Sequence, residues 1–426
     1  MIRQEDRDTM RVLAQQWMEL ASDPVMAERK RLWTAVHDLK AERPVILIEA
    51  GSIGGFVDES ELKCENPILR AVEKNMRVTI RQGQELGDDI VVEPFYRMGW
   101  RMKFSDYGVP IEFHGAKEAS MGYGFNYPIG VPDDIKKLKK RTITVDREKT
   151  ALMKDTLEDA IGDILPVKVG NFDPFAYEFD CGEFGDFGFN GNFFFGLTWQ
   201  LYRFLGNDSL PYWVYDHPDA IHEIMQYLLE DRIAMFKKFE DEKLLALNTD
   251  TQMAGPRSYG YASDLPDAES SNGPVSLKNM WGWAESQESM IISPDMYKEF
   301  VLPYLAKLSS MFGLVYYGCC ERMEDRLEMI VDAMPNLRSV SISGWSDLEK
   351  TAEILGSDYV YSRKPTPAHL SGANPNWDLA EKDMKDTYKA VGEGNVEILF
   401  RDLYDVNADI SRLIKWVDMT KSIFGM

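Results

Sequence analysis

Eight short apolar runs set what this 426-residue chain can fold into. They are Val45–Glu49, Asp89–Glu93, Leu165–Val169, Leu244–Asn248, Leu314–Gly318, Arg338–Ser343, Tyr359–Ser362 and Val396–Phe400. Short, nearly unbroken apolar runs read as strands covered on both faces, the condition of a parallel sheet. Most gaps between them have room for a helix and a loop. The clearest helix spans about Pro218 to Glu240, with Ile221, Met225, Leu229, Ile233 and Phe236 on one face. Another follows Cys320, carrying Met323, Leu327, Ile330 and Met334, and Ser346-Asp-Leu-Glu349 is a capping box that opens a third. Strand and helix in alternation predict an α/β protein, a (β/α)8 TIM-type barrel over residues 43–426. Residues 1–42 form an N-terminal helical extension, with Met10, Leu13, Trp17 and Leu20 spaced by threes and fours.

Composition narrows the function classes. Lys and Arg total 48 against 70 Asp and Glu, a formal charge of −22. Such a chain repels polyphosphate and anionic lipid, which argues against nucleic-acid and membrane-surface partners. The first residues are charged and carry no signal-like apolar stretch, and no run approaches the roughly 20 apolar residues that span a bilayer. A cytoplasmic protein is expected. The four cysteines, Cys64, Cys181, Cys319 and Cys320, are too few for a disulfide framework.

Barrel active sites lie at the C-terminal strand ends. Those ends read Glu49, Glu93, Asn248 with Asp250, Tyr317-Gly-Cys-Cys-Glu321, Ser343, Arg363 with Lys364, and Arg401-Asp402. Two thiols and a carboxylate at one end supply soft ligands of the kind zinc takes, but a buried pair of small apolar residues fits the spacing equally well. His114, in Glu112-Phe-His-Gly115, is a candidate ligand or general acid. His37, His217, His222 and His369 read as structural, cap or surface residues. Gly122, Gly124 and Gly130 do not form a phosphate loop, so a nucleotide cofactor finds no support. The Phe- and Gly-rich stretch Asn171–Trp199 makes a poor helix and predicts an aromatic loop over the barrel mouth.

Trp281-Gly-Trp-Ala-Glu-Ser-Gln-Glu-Ser289 and Ser293-Pro-Asp-Met-Tyr-Lys-Glu-Phe-Val-Leu-Pro-Tyr304 resemble the uroporphyrinogen decarboxylase superfamily, which includes zinc-dependent, corrinoid-linked methyltransferases. Gly196-Leu-Thr-Trp199, Leu205-Gly206, His217-Pro218, Tyr316-Tyr-Gly-Cys319 and Ser362-Arg-Lys-Pro-Thr-Pro367 match the same family. The resemblance covers residues 150–426 well and the first 150 loosely. The decarboxylases carry an Arg-rich segment after their first strand; here Glu49-Ala-Gly-Ser-Ile-Gly-Gly-Phe-Val-Asp58 has no Arg, leaving Arg97, Arg101 and Arg363 as anion contacts. The zinc methyltransferases use a His-x-Cys where this chain has Tyr317-Gly318-Cys319, and a Cys from the last strand's end where it has Arg401-Asp402.

The resemblance implies a corrinoid-dependent methyltransferase of the O-demethylase type. It would move a methyl group from a small methoxylated, aromatic substrate to Co(I) of a separate small corrinoid (cobalamin-binding) protein. Its implied metal is zinc on Cys319, Cys320, Glu321 and Asp402. Glu93, His114, Asn248 and Asp250 are the candidate catalytic residues, and Phe193, Trp199, Trp283, Tyr317 and Arg363 the candidate substrate contacts. Homodimers are common in the superfamily. The rival reading is a metal-free decarboxylase of another carboxylated substrate, relying on Asp88, Asp89 or Glu93.

Overall fold

The computed structural model describes residues 2–115, 123–171, 193–268 and 273–426. Its centre is a six-stranded parallel sheet in the order β1–β12–β11–β10–β9–β8. The strands are β1 (Val45–Ile48), β8 (Trp281–Ala284), β9 (Leu314–Tyr317), β10 (Leu337–Ile342), β11 (Val360–Arg363) and β12 (Val396–Phe400). Two further segments continue this sheet at its edges. Beyond β8, Phe194 bridges Trp283 in parallel, with Phe195 N–H donating to the Trp283 carbonyl at 2.8 Å. Beyond β1, the Asp89 N–H donates to the Ile46 carbonyl at 2.7 Å. The result is an α/β fold of the (β/α)8-barrel type, with helices between the strands and an N-terminal helical layer.

Five of the eight apolar runs are strands of this sheet, and three correct the expectation. Asp89–Glu93 adjoins β1 without forming a regular strand. Leu165–Val169 falls on β7 (Val167–Gly170), which pairs outside the main sheet with β2 (Tyr96–Gly99). Leu244–Asn248 is no strand, because Asn248 satisfies the backbone of β8 with its side chain instead. Trp281–Ala284 takes a place in the sheet that no aliphatic run announced. Short antiparallel ribbons, β3 (Met102–Phe104) with β6 (Ile143–Val145) and β4 (Phe113–Gly115) with β5 (Tyr123–Phe125), lie outside the sheet.

Alternation along the strands divides the core. Ile46, Ile48, Val340, Ile342, Ile398 and Phe400 join the main apolar cluster, which holds Ile221, Met225 and Phe236 of α7 (Pro218–Asp241) and Leu413 and Trp416 of α13 (Ser411–Ile423). The alternate residues Val45, Leu47, Val360 and Leu399 pack with Leu32, Trp33 and Val36 of α2 (Pro24–His37) and with Tyr259 and Tyr261. Each such fully buried aliphatic side chain contributes about 2 kcal/mol. Another cluster joins α1 (Gln4–Ala21), α3 (Pro67–Glu85) and α4 (Arg147–Ile161) to β2 and β7 through Met10, Leu13, Leu69, Met76, Met98 and Leu157. No helix among the described residues is long and apolar enough to cross a membrane.

A reverse turn at residues 250–260 covers the inner side of the sheet. Met253 bridges Tyr259, Gly260 N–H donates to the Asp250 carbonyl at 2.9 Å, and the Trp281 indole donates to the Gly260 carbonyl at 2.8 Å. A Cβ at Gly260 would sit 1.6 Å from the Asn248 carbonyl oxygen, an impossible approach to backbone. Gly260→Ala should therefore lower the unfolding free energy by about 3 kcal/mol, whereas Gly273→Ala, with open space around it, should change it by less than about 0.5 kcal/mol. Urea denaturation of both variants checks this, and equal stabilities would refute the packing described.

Candidate active site

The C-terminal ends of β9 and β12 meet at the mouth. After β9 the chain turns at Gly318, whose φ of +98° suits only glycine, and a Cβ there would lie 3.0 Å from that of Ser341. This turn ends the strand alternation, so the neighbouring Cys319 and Cys320 come to one side with sulfurs 3.6 Å apart. From β12, Asp402 adopts a left-handed backbone (φ +58°) and brings its carboxylate 3.7 Å from the Cys320 sulfur. A non-glycine residue in that conformation is the kind of strain that collects at functional sites.

Arg401 is the cation of the group. Its Nη1 lies 3.6 Å from the Cys319 sulfur, and its Nη2 donates to Asp402 at 3.3 Å. Glu49, at the end of β1, accepts from Arg257 Nε at 3.1 Å and from the Asp402 N–H at 3.3 Å. Burial pushes its carboxyl up, but the charges of Arg257 and Arg401 outweigh that and hold it below the ordinary range. Contact with Cys320 and then burial push the Cys319 thiol up, against the pull of Arg401.

Two buried charged groups flank this centre. Lys364, just past β11, donates from Nζ to the Tyr316 hydroxyl and to Ser362 Oγ, each at 2.7 Å. Burial lowers its ammonium to about 7. On the other side Glu321 accepts from the N–H groups of Ser286 (3.0 Å) and Cys319 (2.8 Å). Glu285 accepts from the Gln287 N–H at 2.8 Å, while its Oε1 is buried with no hydrogen-bond partner among the described residues. Glu288 accepts from Thr198 Oγ1 at 2.8 Å. Burial, then the charges of Glu288 and Glu321, push Glu285 well above the carboxylate range; burial takes Glu288 to about 7.

The structure brings together Cys319, Cys320 and Asp402 from the expected ligands but not Glu321, which is turned onto backbone amides. Among the described residues no group of three His, Cys, Asp or Glu side chains is gathered to hold a metal ion, and the Arg401 head already lies against the Cys319 sulfur. As arranged, this donor set does not fit zinc.

The other candidates mostly serve the fold. Asn248 exchanges two hydrogen bonds with the Trp281 backbone, Asp250 pairs with Arg97, and His114 is exposed on the β4–β5 ribbon. Phe193 packs against Phe236 and Phe312 in the helix-side core. Tyr317 is fully buried and its hydroxyl bonds to Ser286 and Tyr297. Arg363 turns outward to Asp383 and Thr387 on α12 (Trp377–Val391). Trp199 is buried beside Phe125 and Tyr202. Trp283 packs against Phe194 with its ring tilted and donates to the Gly318 carbonyl at 2.9 Å, which supports the cysteine turn. Glu93 is buried, with Lys30 at 2.6 Å and the Tyr261 hydroxyl at 2.5 Å. Asp88 and Asp89 bind the backbone of β1, and Asp89 also pairs with Arg43. Most of the Phe-rich loop and Cys181 lie outside the described residues.

Arg257, Glu285 and Lys364's role escaped the sequence reading. Period-two alternation after Ser362 could have separated outward Arg363 from inward Lys364; Arg257 lies in a Gly-Pro-Arg turn with no periodic signal.

No family model and no curated protein matches the chain. Among solved structures, a methyltransferase from Methanosarcina mazei is similar at 12% identity, the match covering 93% of this chain and 99% of that one with a TM-score of 0.49.

Lys364 carries a measurable signature. Its folded value of about 7 lies below the ordinary 10.5, so between these limits the unfolded chain binds the extra proton and stability rises with pH. Below pH about 7 both states are protonated and the full penalty of the buried charge applies. Lys364→Met should thus gain stability relative to the parent at pH 6 and lose that advantage by pH 10. Urea denaturation at both values checks it; a difference independent of pH would rule out the buried ammonium.

Proposed function

We propose that this chain is a methyltransferase, taking a methyl group from a small methoxylated substrate and passing it to Co(I) of a corrinoid carried by a separate protein. The observation that carries this reading is the convergence of Cys319, Cys320, Arg401 and Asp402 at the mouth. Cys319 stands where the superfamily's methyltransferases have the Cys of their His-x-Cys, Tyr317 and Arg401-Asp402 replace their other ligands, and the Arg-free segment Glu49–Asp58 is the departure from the decarboxylases.

Methyl transfer to Co(I) is a nucleophilic displacement. The Co–C bond forms as the C–O bond breaks, and the electron pair of that bond remains on the leaving oxygen. That oxygen needs a positive charge or a proton. Arg401 supplies a fixed cation held in place by Glu49 and Asp402, and stabilisation of developing charge by such a preorganised group is a leading catalytic term. Glu285, whose carboxyl is pushed up by burial and by the charges of Glu288 and Glu321, is the candidate donor of the proton that leaves the product as an alcohol or phenol. The acids on which a metal-free decarboxylase would rely are engaged by the β1 backbone, Arg43, Lys30 and Tyr261, which favours methyl transfer.

Anaerobic assay of the protein with Co(I) cobalamin and methoxylated aromatics should give the colour change of methyl–Co(III) formation. Arg401→Met should reduce that rate by about 100-fold or more with thermal stability retained, and Cys319→Ser and Asp402→Ala should each reduce it strongly. Full activity in Cys319→Ser and Asp402→Ala together would sink the assignment.

A further inference from the structure

A cavity of about 180 Å³ lies between α3, the segment after Asp89–Glu93, and the 250–260 turn. Ile48 and Gly51, at and after the end of β1, are part of its lining. The walls include Trp17, Phe95, Tyr96 and Tyr259, and Arg257 reaches into the same space. For scale, an apolar protein cavity of about 150 Å³ accommodates benzene. The volume thus suits one aromatic ring, and Asn75, Thr79, Gln82, Thr251 and Gln252 add polar groups to the lining.

The polar part of the lining is specific. Arg257 sits in a left-handed backbone conformation, φ +65°, at the turn. Glu49 accepts from its Nε at 3.1 Å. Among the described residues neither of its terminal amino groups has a hydrogen-bond partner, so two parallel N–H donors are open. The other cations nearby are matched: Arg97 by Asp250 and Lys30 by Glu93. Two carboxylates approach the cavity, but Glu93 is neutralised by Lys30 and Glu49 lies between Arg257 and Arg401. Arg101 and Arg363, the other arginines expected to contact anions, do not line it.

We infer that this cavity binds a small aromatic carboxylate, its ring against Trp17, Phe95, Tyr96 and Tyr259 and its carboxylate on the terminal amino groups of Arg257. A guanidinium presents paired N–H donors that match the two oxygens of a carboxylate. A hydroxyl at the same position would accept a single bond and carry no charge. Because Glu49 contacts both Arg257 and Arg401, a molecule held here lies beside the cysteine centre. The inference concerns binding and stands apart from the methyl-transfer proposal, which it would supply with a substrate class.

Titration of the full chain by tryptophan fluorescence and calorimetry, with benzoate, 4-methoxybenzoate and 4-methoxybenzyl alcohol as probes, tests it. The carboxylates should bind saturably with Kd below about 1 mM, and the alcohol at least about tenfold more weakly. Arg257→Gln should remove that preference, and Arg257→Lys should retain part of it because the charge remains without the fork. Cys319→Ser should bind the carboxylates as the parent does, which separates failure of methyl transfer from failure of this site. Equal affinity for acid and alcohol in the parent protein, no binding of either carboxylate at 10-fold above that limit, or unchanged preference in Arg257→Gln would each overturn the inference.

Discussion

Glu397 is a carboxylate on the inner side of β12 with no exposure to solvent, and much of the architecture answers to it. A buried charge is tolerated only when hydrogen-bonded and matched. Here Ser258 Oγ donates to it at 2.8 Å from the 250–260 turn, and His37 Nε2 approaches at 3.3 Å from the end of α2. His37 in turn bonds through Nδ1 to the Tyr261 carbonyl at 2.8 Å. Burial raises the Glu397 carboxyl, but the His37 hydrogen bond and the charges of His37 and Lys364 outweigh it and leave it low. One side chain thus ties the N-terminal layer, the covering turn and the central sheet together.

The same group connects scaffold to chemistry. Its charge works against the burial that lowers Lys364, and Lys364 holds Tyr316 and Ser362 next to the cysteine turn. The turn whose Ser258 meets Glu397 also carries Arg257, which fastens Glu49 at the mouth. Glu49 then steadies Arg401 and the Asp402 backbone. Polar groups buried in low dielectric are most effective when they position one another, because each loses little by reorganising. The mouth follows that pattern, from Glu397 outward to Arg401.

The strand runs from Leu314 to Phe400 were legible because aliphatic residues crowd a strand buried on both faces. Trp281–Ala284 was missed as a strand because its glycine and two tryptophans do not form such a run, although they carried the family resemblance. Leu244–Asn248 misled because apolar composition cannot distinguish a strand from a buried extended segment. Among site residues, Cys319, Cys320 and Asp402 were visible as polar ends of strands. Phe193 and Tyr317 are buried in the core, a placement the sequence does not reveal because aromatic residues fill cores and line pockets alike. Arg363 pairs with Asp383 and Thr387, a direction that follows from strand alternation and that a polar cluster conceals.

By itself the sequence determined the class of fold, the formal charge of −22, and the polar residues at the strand ends. These follow from local composition and periodicity, which need no knowledge of distant neighbours. Tertiary structure alone decided that Glu321 faces backbone amides, that Arg401 lies on the Cys319 sulfur, and that Arg257, among the described residues, keeps two donors free beside the cavity. Those outcomes depend on which residues, hundreds of positions apart, are brought within hydrogen-bond reach. Burial and charge compensation set that choice, and both are properties of the packed molecule.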